Sequence, residues 1–180
     1  MKPFHFDPFQ SRLARDIRNN LSKAFLQSLT QKDMSVFNRC GADYLQQKLG
    51  LGYERYVKDR LAKYEEAFAI MGKRDIKEVL AQSAIFWDLE LYFEMHELLE
   101  LQWKEAEGDR RRALQGLIRA AGMKIHAENN NAKAVVKMGA KALADLVEYG
   151  GELTGFVTLE AVLAEIQKTL NSSQSSTRVD

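Results

Sequence analysis

Apolar residues recur at three- and four-residue intervals through most of the chain. Leu13, Ile17, Leu21, Phe25 and Leu29 mark the first such stripe, and spacing of this kind turns one side of an α-helix toward a core. Asp7, Pro8 and Gln10 have the chemistry of an N-cap, a first-turn proline and a capping box, so the first helix is expected to start there. A second is expected from Ser35 to Leu49 with Gly50 as its stop, and a third from Tyr53 to Met71 with Gly72 as its stop. Asp75 is the expected cap of a fourth helix that carries Ile76, Val79, Leu80 and Ile85. The fifth holds YFEMHELLELQW, residues 92–103. Gly108 and Asp109 interrupt that pattern, and a sixth helix runs to Glu128. Asn129, Asn130 and Asn131 form a turn, because asparagine tolerates left-handed backbone. A seventh helix covers Ala132 to Tyr149, and Thr158 is placed to cap a last one, LEAVLAEIQKTL.

No run combines strict alternation with β-branched residues, so no strand is expected. Proline occurs only at Pro3 and Pro8, which leaves everything after them free to be helical. The expected fold is all-α: a bundle of stacked antiparallel helical hairpins with about seven to eight helices. The punctuation divides it into an N-terminal helical region, 1–75, a helical domain, 76–150, a C-terminal helix, 151–170, and a tail, 171–180. The tail, NSSQSSTRVD, has too little apolar content to offset the cost of ordering and is expected to be disordered.

Composition narrows the classes of function. An apolar content of 46% with 28% charged residues fits a soluble globular domain able to bury a core without staples. The single cysteine, Cys40, excludes an internal disulfide. With no apolar leader in MKPFHFDPFQ, it places the expected compartment in the cytoplasm. A net charge of +1 gives no basic surplus for nucleic acid. Charged residues also break every apolar stretch before it reaches bilayer length. Nucleic acid and membrane are therefore not expected partners, which leaves a second copy of the chain or a small molecule. The first helix, with Arg12, Arg15, Arg18 and Lys23 opposite its apolar stripe, is suited to cover the core or another subunit.

The candidate chemistry lies on the fifth and sixth helices. At 100° per residue His96 falls inside the apolar stripe of Tyr92, Leu99 and Trp103, with Glu100 at its edge and Glu97 nearer solvent. On the sixth helix Gln115, Arg119 and His126 border the apolar face. If the two helices double back at Gly108, Glu100 comes level with Gln115, and His96 with Arg119. The expectation is a cross-helix cluster of His96, Glu100, Gln115 and Arg119, with Gly122 allowing close approach or space for a ligand. His126 lies about 10 Å beyond Arg119 at 1.5 Å rise per residue. Together with Glu97, Trp103 and His126, the cluster is the candidate ligand-binding set.

Three chemical uses of the cluster remain open. The four groups can satisfy one another and set the register of a hairpin. His96 can act as a general base oriented by Glu100, although neither motif supplies a serine or threonine nucleophile and Cys40 is remote. The i, i+4 pair His96 and Glu100 can also bind metal; the guanidinium expected at Arg119 argues against a cation, so no metal and no cofactor are expected. Phe86, Trp87, Tyr92, Phe93 and Trp103 are most simply core. Arg110, Arg111 and Arg112 open the sixth helix, where the macrodipole disfavours cations. They suggest either a phosphate or acidic partner or a solvated helix start. Lys124, Lys133, Lys137 and Lys141 add a basic row.

Phe93, Glu94, His96, Glu97, Glu100 and Trp103, followed by Leu114, Gln115, Gly116, Leu117, Ile118 and His126, carry a resemblance. Residues 80–148 resemble the bacterial and archaeal family called domain of unknown function 309. The resemblance implies an all-helical domain and brings no activity. Met95 replaces the family's small residue, Arg119 stands where glutamine is frequent, and WDLEL before the motif lacks the usual glycine. The expected function is a non-catalytic scaffold, interaction or small-ligand-binding protein. The alternative is a small enzyme, with or without a metal, built on His96 and Glu100.

Overall fold

A computed structural model describes residues 4–176. Among these residues the chain is all-α, with no strand. The helices are α1 (Arg12–Gln31), α2 (Ser35–Gln46), α3 (Leu51–Arg74), α4 (Val79–Asp88), α5 (Tyr92–Glu105), α6 (Gly108–Glu128), α7 (Ala132–Tyr149) and α8 (Leu159–Ser176), with a 3-10 turn at Gly150–Glu152. Contacts divide the chain after Asp75 into two compact units.

In the first unit, α1, α2 and α3 enclose an aromatic core. Phe25 stacks on Tyr64 with ring centroids 4.2 Å apart, and Phe37 meets both edge-on. Ile17, Leu21, Val57 and Ala67 complete the core and are sealed from water. The Ser28 hydroxyl accepts the Phe37 N–H at 3.2 Å, which ties α1 to the first turn of α2.

The ends of these helices differ from expectation. Asp7 closes a separate turn by accepting the N–H groups of Phe9 and Gln10, and Ser11 takes the N-cap of α1 by accepting from Ala14. An Asp side chain reaches the amide two residues on as easily as the one three on, so the turn forms before the helix. The second helix stops at Gln46, because Lys48 adopts φ 49°. Gly50, at φ 108°, starts α3 rather than stopping α2. Gly72 lies inside α3, and Asp75, in left-handed geometry, closes it by donating its N–H to the Gly72 and Met71 carbonyls. Asp75 therefore ends α3 and does not cap α4, which begins four residues later at Val79.

In the second unit α6 is the central helix. It buries Leu114, Leu117, Ala120, Ala121 and Met123 and packs against both α5 and α7, and α7 in turn packs against α8. Gly108 carries φ 57° where the chain doubles back between α5 and α6. In WDLEL, where the family pattern has glycine, Glu90 holds the left-handed position itself at φ 57°. Thr158 stands just before α8, but its hydroxyl is buried without a hydrogen-bond partner and does not cap. α8 continues as helix to Ser176, into the stretch expected to be disordered. The Thr169 and Ser172 hydroxyls bond the carbonyls of Glu165 and Lys168 one turn back, so these polar residues satisfy helical backbone instead of competing with it. The rest of that tail, 177–180, lies outside the described residues. No helix among the described residues is long and apolar enough to cross a membrane.

Candidate functional site

The inner side of α5 is fixed by Tyr92, Met95, Leu98 and Leu99, all buried, with Tyr92 edge-on to Trp87 at 5.2 Å. That anchoring leaves one flank of the helix at the boundary with solvent, and His96, Glu97 and Glu100 occupy it. His96 Nδ1 lies 3.5 Å from Glu97 Oε1, and Nε2 lies 3.8 Å from Glu100 Oε1. One donor atom from each of the three residues fits within a 4.8 Å span. His96 keeps 25% of its side chain exposed, so the cluster opens to water without being fully solvated. The spacing is dictated by the helix: residues i and i+4 share a face and i+1 flanks it.

The second half of the expected cluster is elsewhere. Among the described residues no hydrogen bond or ion pair joins His96 or Glu100 to Gln115 or Arg119. Arg119 instead donates through Nη1 to Oδ2 of Asp145 on α7, in a short contact. Arg112 Nη2 approaches the other oxygen of the same carboxylate at 3.3 Å. Asp145 keeps only 5% of its side chain exposed, and a carboxylate in that setting requires a cationic partner. The competitor is α7. Gly116, one turn before Arg119, lets α7 come so close that an added Cβ would lie 2.8 Å from Leu146. The side of α6 that bears Arg119 therefore faces α7. Mirroring two helices about Gly108 ignores this competitor.

The remaining candidates are also accounted for. Trp103 is covered by Arg111, whose guanidinium sits 4.0 Å over the indole ring. Arg110 donates to the Glu152 carbonyl at 3.1 Å, and Arg112 lies over Tyr149. The three arginines thus answer to groups within the unit rather than to a helix dipole they oppose. Lys124 pairs with Glu165 of α8 at 2.9 Å, and this lysine holds the Glu165 carboxyl below its usual range. His126 belongs to the α6–α7 turn, with Nδ1 3.3 Å from Asn131 Nδ2, and burial pushes its pKa below the ordinary histidine value. It is not a member of the three-donor cluster.

Two buried acids were missed in the sequence. Asp145 lies between Ala142 and Leu146, and Glu94 is sealed from solvent between Leu91 and Met95. The available signal was a lone acid on an apolar face, which demands a partner wherever it occurs.

The structure defines an all-helical protein whose second unit carries a half-exposed His/Glu/Glu donor cluster on α5. Residues 80–138 match the model of the family described as Domain of unknown function (DUF309), so the family assignment of this segment stands. The match takes in nearly all of α4, the whole of α5 and α6 and the start of α7, and covers about a third of the chain. No curated protein and no solved structure matches the chain.

Proposed function

We propose that the chain is a non-catalytic helical binding protein and that the ligand of its His96–Glu97–Glu100 cluster is a divalent metal ion. The observation that carries this is the 4.8 Å span of the three donors. The guanidinium that argued against a cation is engaged with Asp145, so that electrostatic objection is removed. One imidazole with two carboxylates suits Mn(II), Fe(II) or Zn(II), whereas Ca(II) and Mg(II) prefer all-oxygen sites. The proposed setting is the cytoplasm, where Cys40 stays reduced and, with burial pushing its thiol pKa up, unreactive.

Calorimetric titration of untagged protein with each of the three ions tests the proposal. One site per chain is expected, lost in both His96→Ala and Glu100→Ala. Absence of binding, or binding that both substitutions leave unchanged, overturns it.

Three donors from one helix leave coordination positions open, as catalytic sites do and closed structural sites do not. This supports a second reading, a metal-assisted enzyme in which His96 and Glu100 hold the ion. Water-proton relaxation by bound Mn(II) tests it: an ion without exchangeable water excludes this use.

A further inference from the structure

α7 packs inward through Val135, Gly139, Ala142, Asp145 and Leu146. Its opposite face is open: Val136, Ala140, Ala144 and Val147 are exposed, Val147 to 70%. Helical spacing gathers these four into one ridge. Lys137 and Lys141 stand along one edge of the ridge with Glu148 near the end of the helix, Lys133 lies on the ridge near its start, and Glu152 follows in the 3-10 turn. No acidic residue lies in the first turn of α7 and no basic residue in the last. The charges therefore run against the helix macrodipole, which favours acids at the start and bases at the end. Among the described residues none of the three lysines has an ion-pair partner.

We infer that this face is a self-complementary docking surface whose occupant is a second copy of the chain, paired α7 to α7 in antiparallel sense. A twofold axis level with Ala142 sets Val136 against Val147 of the second copy and Ala140 against Ala144. The same register sets Lys137 against Glu148 and Lys133 against Glu152. Antiparallel helices bring like edges together, so the charged edge of one copy meets that of the other with its direction reversed. Each lysine then finds a carboxylate, and the misplaced charges of one macrodipole are matched by the other. An isologous contact of this kind closes at two copies. Lys141 is the exception: it lies level with the axis, near its own symmetry mate, and weakens the pair.

The contact is one helix pair about 27 Å long at 1.5 Å rise per residue, and such an area is at the low end for stable association. A dissociation constant in the micromolar range is expected on that basis. The inference is independent of the metal proposal, since the two surfaces share no residue.

Sedimentation velocity on the full chain, from about 1 to 500 µM, brackets that range. A reversible monomer–dimer equilibrium is expected. Lys137→Glu and Glu148→Lys should each weaken the dimer about tenfold or more, and the double charge swap should restore it. Lys141→Gln should tighten it. Circular dichroism melts matching the parent's show that each variant is folded. A monomer at every concentration, a dimer indifferent to both single reversals, or a double swap that fails to recover would overturn the inference.

Discussion

Replacing Asp145 by alanine removes the acid that two helices share. Its carboxylate is 5% exposed, Arg119 is 28% exposed and Arg112 is 59% exposed. Breaking a fully buried ion pair by deleting one partner costs about 3–5 kcal/mol, because the other charge is left desolvated. Arg119 is only partly buried and recovers some hydration, and Arg112 is a surface partner that contributes about 0–1 kcal/mol. The discounted expectation for Asp145→Ala is a loss of about 2–3 kcal/mol. For a unit of roughly 100 residues each kcal/mol moves Tm by about 4–8 °C, so Tm should fall by about 8–24 °C. Thermal melts followed by circular dichroism and urea unfolding at fixed pH measure it independently. A decisive companion is the double variant Arg119→Met with Asp145→Leu, which exchanges the pair for apolar contacts. Apolar replacement of a buried pair is often neutral or stabilising, so the double variant should be markedly more stable than Asp145→Ala. A loss below about 0.5 kcal/mol for Asp145→Ala, the range of ordinary surface substitutions, would refute the view that this carboxylate locks α6 to α7.

Other expectations follow from the same geometry. His96→Ala and Glu100→Ala break no cross-helix bond, so each should shift the metal-free unfolding free energy by no more than about 0.5 kcal/mol in urea titrations; a loss several times larger would restore a structural role for the cluster. Gly108→Ala forces a side chain into left-handed backbone at φ 57° and should cost about 1–2 kcal/mol by the same assay. Burial lowers the His126 pKa, so the unfolded chain takes up this proton more readily than the folded one. Its effect on stability is absent above the unfolded value of about 6.5 and grows as a loss while pH falls from there through the folded pKa. His126→Asn should flatten that part of a Tm-against-pH curve, and a curve of unchanged slope would show that the imidazole is equally accessible in both states.

The parts of this fold that follow from short-range physics were legible. α5, α6 and α7 were placed closely because their boundaries rest on local chemistry, such as the Asn131 side chain accepting from Ala134 N–H at the start of α7. The errors in the first unit arise where two turn geometries compete for one residue. Asp75 has the composition of an N-cap, yet its backbone satisfies the carbonyls behind it, and nothing in the local sequence states which use prevails. The donor cluster was legible for the same reason as α5, since it lies within one helix turn. Its supposed partners were not, because they depend on which neighbour α6 faces at each turn.

A guanidinium on α6 could have turned toward α5, where it would pair with Glu100 and leave no room for a cation. It turns toward α7 because Asp145 is far more buried than Glu100, whose side chain is 42% exposed. Removal from water strengthens the attraction between opposite charges and raises the cost of leaving either one alone. The more buried acid therefore captures the arginine. The half-exposed acids on α5 remain close to one imidazole, and among the described residues Glu100 is bonded to neither Gln115 nor Arg119. The structural pair and the donor cluster are thus consequences of a single competition, and the packing of α7 onto Gly116 settles it by carrying Asp145 to the flank of α6.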